Sequence, residues 1–433
     1  MVQSAKRSPM QRRVLVLAYD FPPRGATSVF RVTKFVRYLP EFGWQPVVLT
    51  AAVRGGVRDE ALLDQLPPDL EIIRVSNPFA PAGAGTGAHT ATPSLQARLR
   101  QQLRRVCIPD AQILWLPAAV RAAAKRLSRG DIAALFTTAP PYSVHLGGLW
   151  LKRRNPHLPW LMDLRDIWSE NPAITNLITY KLQRACEAAC LQAADHITTA
   201  TDGQRQLLRS AFGLASARVS TITNGFDSAD LPSIQAAPPE RGTPLRLTYI
   251  GSLTDNRARA TRGLFVALAR LVASGVTGRD IKVRLIGVFD QAVYSWSQPF
   301  ATTGMVEIVP FMAQASAYAE IAAADVLLLV ASDDREGRLS HPNKLFEYFA
   351  VGRPILALAP EGDVARLVRA AQAGEVVAPR DVEGIAAVLV HLIARHKASV
   401  PNNQSVDAAT LARFERRELT RQLAARLDAL VRS

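Results

Sequence analysis

The stretch 325–359 constrains the fold more than any other part of the sequence, because it has the pattern of a strand, a loop, a helix and a second strand. Residues 325–330 and 355–359 are short, almost wholly apolar runs rich in Val, Leu, Ile and Ala. Such runs are typical of strands buried on both faces of a parallel sheet. Pro342 indicates the first turn of the helix and Gly352 its end. The segment therefore predicts one strand–helix–strand unit of a parallel α/β sheet.

Two charged residues lie at the start of this helix, at the carboxyl end of the preceding strand, where open α/β sheets bind ligands. Lys344 is in the first turn, and Glu347 is three residues further on the same face. A cation at the positive end of a helix opposes the helix dipole, and a bound phosphate would remove that conflict. Glu347 would then be placed to accept hydrogen bonds from a sugar diol. On spacing alone, an ordinary surface pair between Lys344 and Glu347 is the other interpretation.

The rest of the chain repeats this pattern in two halves, separated by a linker at 227–243 that is rich in Pro and Ala. In the first half, apolar runs predict strands at 14–18, 46–49, 71–75, 132–137, 160–163, 197–199 and 219–222. In the second half, they predict strands at 245–250, 282–286, 306–309, 325–330 and 355–359, a helix–strand pair at 364–377 and a single long helix at 407–431.

This organisation predicts an α/β protein with two Rossmann-like domains that face a cleft. The expected segments are a disordered basic tail at 1–12, a first domain at 13–226, the linker at 227–243, a second domain at 244–400 and a helical segment at 401–433.

The chain carries a strong excess of positive charge. Of its 433 residues, 52 are Lys or Arg and 37 are Asp or Glu, which gives a net charge of +15. This excess predicts an anionic partner, which can be nucleic acid, an anionic membrane face or a phosphorylated substrate. Residues 95–106 and 118–127 are basic helical stretches that are either solvated faces or contacts with anionic lipid. Because they lack interleaved aromatic residues and any helix-turn-helix or RNA-module signature, we expect no nucleic-acid partner.

The cysteines and the N-terminus indicate a reducing, cytoplasmic environment. Cys107, Cys186 and Cys190 are too few for a disulfide framework, and no metal-ligand spacing is found around them. The apolar run at 14–19 is too short for a signal sequence, and no run approaches the roughly 20 residues of a membrane span. We therefore expect a cytoplasmic protein that can attach to the inner face of the membrane.

A second polar cluster follows the strand predicted at 160–163. Asp163, Arg165 and Asp166 place two carboxylates and an arginine at the carboxyl end of a strand, which makes them a candidate site. An ion pair that holds the loop in place is the alternative interpretation. Gly25 lies in the loop after the first strand, where a glycine lets the backbone approach a ligand closely.

Seven segments occur in an order and spacing that resemble a known family. They are LVLAYDFPP at 15–23, APPYSVH at 139–145, DLRD at 163–166, ITT at 197–199, ITNGFD at 222–227, YIGSL at 249–253 and PNKLFEYFAVGRP at 342–354. Together they resemble the GT-B glycosyltransferases, and within them the retaining family 4 type. The resemblance runs over nearly the whole length, and the last segment is its most specific part.

The resemblance implies that the second domain holds a nucleotide-sugar donor and the first domain an acceptor, with the terminal helix crossing back to the first domain. Glu347 is in the position that binds the nucleotide ribose, and Arg262 is in the position of a basic residue that binds the diphosphate. Ser252 and Leu339 depart from the family, which usually has a second basic and a second acidic residue there. The residues that can replace the missing positive charge are Lys344, Arg257 and Arg259.

Further matches complete the expected sites. Gly25 matches the glycine that approaches the donor phosphates and the acceptor, and Gly251 lies in the family's Gly-x-Leu turn. Backbone groups near Ser340 and Asn343 would meet the donor sugar. The expected donor-binding residues are therefore Gly25, Gly251, Arg257, Arg262, Ser340, Asn343, Lys344, Leu345 and Glu347.

The reaction that the resemblance implies needs no metal and no cofactor. Arg and Lys side chains and a helix N-terminus can stabilise the departing nucleoside diphosphate, which can also take the acceptor proton. Asp166 and His145 are candidates for orienting the acceptor or handling its proton, with Asp163 and Arg165 on the acceptor side. A structural role is the alternative for His145. We interpret the acidic pair at 333–334, a weak echo of a metal-binding Asp-x-Asp, as part of a solvated loop.

We therefore expect a glycosyltransferase that moves a sugar from a nucleotide diphosphate sugar to a lipid-linked or polysaccharide acceptor in cell-envelope or exopolysaccharide biosynthesis. Such an acceptor at the membrane surface would explain the basic first domain. A nucleotide-sugar epimerase of the same architecture is the enzymatic alternative. A scaffold that keeps the fold without catalysis is the non-enzymatic alternative, and Ser252 and Leu339 favour it.

Overall fold

The computed structural model describes residues 12–53, 55, 57–79, 107–171, 174–231, 242–312, 314–400 and 406–432. Contacts divide the chain into two compact units: unit 1 is Met1–Thr223 with Arg416–Ser433, and unit 2 is Asn224–Glu415. The basic stretch at 95–106 lies outside the described residues, as do residues 1–11 of the expected tail. Arg12, which was expected in the tail, is instead the first residue of a strand.

In the described part of unit 1, seven strands form one parallel sheet in the order β3-β2-β1-β4-β5-β6-β7. The strands are β1 Arg12–Leu17, β2 Trp44–Ala51, β3 Glu71–Val75, β4 Ile132–Ala139, β5 Trp160–Leu164, β6 His196–Thr199 and β7 Val219–Thr221. The first helices of the unit are α1 Thr27–Tyr38, α2 Leu116–Leu127, α3 Ser143–Arg154, α4 Leu177–Ala193 and α5 Asp202–Phe212.

In the described part of unit 2, six strands form a second parallel sheet in the order β10-β9-β8-β11-β12-β13. The strands are β8 Leu245–Leu253, β9 Ile281–Phe289, β10 Val306–Pro310, β11 Val326–Val330, β12 Ile355–Leu358 and β13 Gly374–Val377. The helices are α6 Asp255–Ala260, α7 Arg262–Ala273, α8 Gln291–Ala301, α9 Gln314–Ala322, α10 Arg335–Leu339, α11 Lys344–Val351, α12 Asp363–Ala370, α13 Val382–Lys397 and α14 Ala408–Ala412. The last helix, α15 Arg416–Arg432, belongs to unit 1. No helix in the described ranges combines enough length with enough apolar residues to span a bilayer.

Strands such as β5, β11 and β12 are buried along their whole length because both faces of the sheet are covered. Side chains alternate between the two faces of a strand. In β1, Leu15 and Leu17 therefore pack into one core with Trp115, whereas Val14 and Val16 pack into another core with residues of α1 and α15. This confirms the prediction of buried parallel strands.

The predicted unit at 325–359 is present, but its loop contains a further short helix, α10, and α11 begins at Lys344. Asp334 caps α10 by accepting from the Gly337 backbone N–H at 2.9 Å. The same carboxylate accepts from Asn256 Nδ2 at 2.6 Å, and Asp333 forms a 2.5 Å ion pair with the exposed Arg380. Both carboxylates lie in a partly exposed loop, so the interpretation of this acidic pair as part of a solvated loop is consistent with the structure, which adds the partners that hold the loop.

The predicted single helix at 407–431 is also wrong, because α14 and α15 are separate helices. Between them, Phe414 is buried in the core of unit 2, with its ring centroid 5.1 Å from that of Phe346. Its carbonyl oxygen accepts from the Phe226 backbone N–H at 3.1 Å. The helix breaks here because Phe414 anchors the chain in the core of unit 2, whereas Leu419, five residues later, lies in the core of unit 1.

Candidate active site

The start of α11 carries Lys344 to the neighbouring strand β8. The Lys344 ammonium donates to the Ile250 carbonyl oxygen at 2.7 Å. It also lies 3.9 Å from the centroid of the Tyr249 ring. These contacts anchor the lysine to β8 rather than to its own helix, and Glu347 follows one turn later in a partly buried position. The geometry therefore goes beyond an ordinary surface pair on one helix.

The surroundings of Lys344 disfavour its charged form. Burial and the nearby Arg257 cation lower the pKa of Lys344 to about 7, whereas the Glu347 carboxylate acts in the opposite direction. Asn343, which precedes α11, makes no capping side-chain hydrogen bond, and its Oδ1 atom is buried without a hydrogen-bond partner in the described ranges. Ser340 is partly buried at the end of α10. An anion bound at this helix start would stabilise both the N–H groups and the lysine.

Two glycines keep the adjacent strand edge free of side chains. Gly251 on β8 and Gly287 on β9 are register partners, with φ angles of +133° and +140°. A Cβ on Gly251 would lie 2.5 Å from Lys344 Nζ, and one on Gly287 would lie 2.0 Å from the Gly251 carbonyl oxygen. A side chain does not fit at either position, because Lys344 and the backbone of the neighbouring strand fill the space, so these chain segments approach one another closely. Gly287 was not predicted, although an isolated glycine inside an apolar strand is a signal for such an approach.

The other residues predicted to bind the donor differ in exposure. Arg257 on α6 is exposed, and so is Arg262 at the first position of α7. Gly263 packs so closely behind it that a Cβ would lie 2.1 Å from the Pro379 carbonyl oxygen. Leu345 is fully buried in the core of unit 2. Its side chain is therefore structural, and only its backbone is available to a ligand.

In unit 1, Asp163 is the centre of a buried network. Arg31 forms a two-point ion pair with it, with N–O distances of 3.1 and 2.9 Å, and the hydroxyl groups of Thr138 and Thr198 each donate at 2.8 Å. Burial opposes the charged carboxylate, but these four bonds outweigh it and lower the pKa of Asp163. Arg31 also donates to the Thr223 carbonyl oxygen at 2.6 Å. These contacts favour the alternative of a structural ion pair.

Arg31 was not recognised from the sequence, because its position on α1 lies off the apolar stripe. In the structure both Arg31 and Lys34 are only 2% exposed. The spacing of apolar residues along α1 gives no signal for this burial. Arg31 is buried by its contact with Asp163 on β5, which is far away in the sequence.

The other residues predicted in unit 1 differ in their exposure and in their hydrogen-bond partners. Arg165 donates to the carbonyl oxygens of Ala139 at 2.9 Å and Pro140 at 2.8 Å, and it therefore holds the loop after β4. Asp166 is exposed. Gly25 donates its N–H to the Val57 carbonyl oxygen at 2.9 Å.

His145 is buried on α3. Its Nδ1 atom is 2.8 Å from the Thr137 hydroxyl oxygen, and its Nε2 atom is buried without a hydrogen-bond partner in the part of the chain that the structure describes. Burial lowers the pKa of His145 to about 3. The ring is therefore neutral at physiological pH, and its contacts favour the structural alternative.

A cavity of about 420 Å³ lies at the carboxyl ends of β1, β4 and β5 in unit 1. It is lined by Asp20, Ser28, Pro109, Asp110, Gln112, Pro140, Pro141, Tyr142, Trp168, Asn171, Ile174 and Gln183. The Tyr142 and Trp168 rings stack with centroids 4.9 Å apart. Burial raises the pKa of Asp110, although this carboxylate accepts from the Ser143 backbone N–H at 3.0 Å. The cavity combines carboxylates, amides and aromatic faces, and its lining residues come from separate loops that no sequence motif connects.

Across the described ranges, no cluster of three or more His, Cys, Asp or Glu residues suited to a metal is found.

Both halves of the chain match protein-family models. Residues 29–230 match the model described as Glycosyltransferase Family 4, and residues 244–395 match the model described as Glycosyl transferases group 1. Among curated proteins, none matches the sequence significantly.

Solved structures share the fold over nearly the full length. A glycosyltransferase from Rickettsia africae is 13% identical with a TM-score of 0.64, covering 98% of this chain and 99% of that chain. Sucrose-phosphate synthase from Thermosynechococcus elongatus is 16% identical with a TM-score of 0.61, and the coverages are 97% and 96%. WaaG, a glycosyltransferase involved in lipopolysaccharide biosynthesis, is 14% identical with a TM-score of 0.54, and both coverages are 95%.

The solved structures indicate the fold of the chain, and the family models indicate a glycosyltransferase. At such low identity the structures establish the fold, which is the GT-B fold with two parallel α/β sheets. The two family models cover most of both units and add the activity. The chain therefore belongs to the GT-B glycosyltransferases that use nucleotide sugars, with a family 4 domain followed by a group 1 domain.

Proposed function

We propose that this enzyme transfers a sugar from a nucleotide diphosphate sugar to a lipid-linked or polysaccharide acceptor of the cell envelope, with retention and without a metal. The observation that carries the proposal is the Lys344 ammonium at the start of α11, which packs against Gly251 at the carboxyl end of β8 and donates to the Ile250 carbonyl oxygen. A cation at a helix N-terminus suits a diphosphate. Glu347, one turn further along α11, is the proposed ligand of the ribose hydroxyl groups.

The proposed chemistry depends on charge at the leaving group. When the bond between the sugar and the diphosphate breaks, negative charge grows on the phosphate, and Lys344 with Arg257 and Arg262 would stabilise it. The departing phosphate oxygen would take the proton of the acceptor hydroxyl. No strongly basic side chain is then needed, which agrees with the neutral, buried state of His145. Asp166, which is exposed, is the remaining candidate for orienting the acceptor.

The cavity of unit 1 is the proposed acceptor site. It lies at the carboxyl ends of the strands, where α/β sheets bind ligands, and its carboxylate and amide groups suit sugar hydroxyl groups. The likeness to WaaG, which takes part in lipopolysaccharide biosynthesis, supports an acceptor of the cell envelope. The net charge of +15 supports work at an anionic membrane face.

Calorimetry with UDP- and GDP-sugars tests the donor site. We expect Lys344→Ala and Glu347→Ala each to weaken binding by about 10- to 100-fold, because each removes a hydrogen bond to a charged group. The matched controls are Lys125→Ala and Glu375→Ala, which replace exposed residues elsewhere and should bind like the wild type. Unchanged affinity in both site variants would refute the assignment, and epimer formation without an acceptor would refute the transfer reaction.

A further inference from the structure

The N-terminal half of α4 presents apolar side chains to solvent. Leu177, Ile178 and Leu182 are 63%, 69% and 48% exposed. Asn176 caps the helix by accepting from the backbone N–H groups of Ile178 at 2.9 Å and Thr179 at 3.0 Å. The three apolar side chains are therefore held on a regular, capped helix rather than on a frayed end. An exposed apolar cluster of this kind marks an interaction surface.

The same two turns are basic. Residues 177–184 contain Lys181 and Arg184 and no acidic residue. Arg184 forms a 2.8 Å ion pair with Glu170, whereas Lys181 is exposed among the apolar side chains. Apolar side chains beside a lysine are typical of a helix that lies in a lipid interface, where the lysine reaches the phosphate groups. The charge of this surface is therefore complementary to an anionic bilayer.

The exposed cluster lies on the helix that also forms part of the wall of the proposed acceptor cavity. Gln183, the residue after Leu182, lines the cavity, and Asn171 and Ile174 line it from the segment before the helix. Gln183 Oε1 accepts from Trp168 Nε1 at 2.6 Å, which fixes this wall of the cavity. The same helix therefore carries a residue of the cavity wall and the exposed apolar cluster.

We infer that Leu177, Ile178, Lys181 and Leu182 form a surface that docks onto an anionic lipid bilayer, and that the acceptor held beside it is lipid-linked rather than a free polysaccharide. The nature of the acceptor rests on the proposed function. The contact with the bilayer does not, because it can be measured without any sugar transfer.

Vesicle flotation of the full-length protein tests the contact. We expect the wild type to float with vesicles of phosphatidylglycerol and phosphatidylcholine. A variant with Leu177→Ser, Ile178→Ser and Leu182→Ser should bind them about tenfold more weakly, because it loses the inserting apolar surface. Lys181→Gln should weaken binding by about fivefold on these vesicles and leave binding to pure phosphatidylcholine unchanged. The matched control replaces three exposed valines of unit 2 by serine and should float like the wild type; these are Val266, Val272 and Val390.

Several results would overturn the inference. Equal flotation of the triple variant and the wild type would do so, and so would a wild type that does not float. If light scattering shows a dimer that the triple variant converts to a monomer, the surface binds a second copy of the chain instead. Donor binding measured by calorimetry should stay unchanged in the triple variant. A loss of flotation with intact donor binding therefore separates this inference from failure of the proposed function.

Discussion

Lys344 is a residue whose charge depends on its surroundings in the folded protein. Its pKa is about 7 in the folded protein, whereas a lysine in an unfolded chain has a pKa near 10.4. Between these values the unfolded chain binds more protons, so this residue makes the free energy of unfolding rise as the pH increases from about 7 to about 10. A bound diphosphate would restore the charged form. Its negative charge would stabilise the Lys344 ammonium, which burial and the Arg257 cation otherwise disfavour.

We predict that binding of a nucleotide sugar takes up protons at pH 8. In the free protein Lys344 is mostly neutral at that pH, and it must gain a proton to pair with the diphosphate. Calorimetry in two buffers with different ionisation enthalpies should show uptake approaching one proton at pH 8 and much less at pH 6. The Lys344→Met variant should show none, and equal binding heats of the wild type in both buffers at pH 8 would contradict the prediction.

At the scale of elements, the network around Asp163 joins α1 to three strands of the sheet. Arg31 comes from α1, Asp163 from β5, Thr138 from β4 and Thr198 from β6. A buried charge with all its partners is stable, but removing one partner leaves the other charge uncompensated. The network therefore ties α1 to the ends of β4 and β5, beside the cavity of unit 1.

We predict that Arg31→Met lowers the free energy of unfolding by about 3–5 kcal/mol, because it leaves the Asp163 carboxylate buried and uncompensated. The loss should be smaller at pH 5 than at pH 8. Without the arginine the pKa of Asp163 rises, and the protonated form then avoids the cost of burying a charge. Urea unfolding measures both values.

Two further variants test whether the uncompensated charge of Asp163 causes this loss of stability. Adding Asp163→Asn to Arg31→Met should recover part of the stability, because no uncompensated charge remains. Arg37→Met, on a partly exposed position of α1, should cost less than about 1 kcal/mol. Equal losses for Arg31→Met and Arg37→Met would show that the network does not contribute as described.

At the scale of the whole molecule, the end of the chain completes the core of unit 1. Phe414 is buried in the core of unit 2, and the following helix α15 buries Leu419, Leu423 and Leu427 against the strands and α1 of unit 1. The two units are therefore not independent segments of sequence, because the stability of unit 1 depends on the last residues of the chain.

We predict that Leu423→Ala lowers the stability of unit 1 by about 2–5 kcal/mol, because the site is 1% exposed and cannot collapse fully around a smaller side chain. Unfolding followed by the fluorescence of Trp44 and Trp115, which lie in unit 1, should report the loss. Ala425→Ser, an exposed change on the same helix, should have almost no effect. An unchanged midpoint for Leu423→Ala would show that α15 is dispensable.

The sequence by itself determined the two sheets. An apolar run such as Val326–Val330 is visible in the sequence because both faces of the strand are buried, so every residue of the run carries the signal. The end of α11 was equally local, because Gly352 adopts the left-handed conformation that favours glycine at a helix end. Lys344 and Glu347 could be named for the same reason, because their spacing on one helix is a local property.

Only the tertiary structure decided what the polar residues contact. Lys344 meets Ile250 across 94 positions of sequence, and Arg31 meets Asp163 across 132. The break between α14 and α15 likewise depends on Phe414 being buried in one core while α15 enters another. Burial and hydrogen bonding of a side chain depend on residues that the fold brings together, and periodicity along one helix or strand cannot report them.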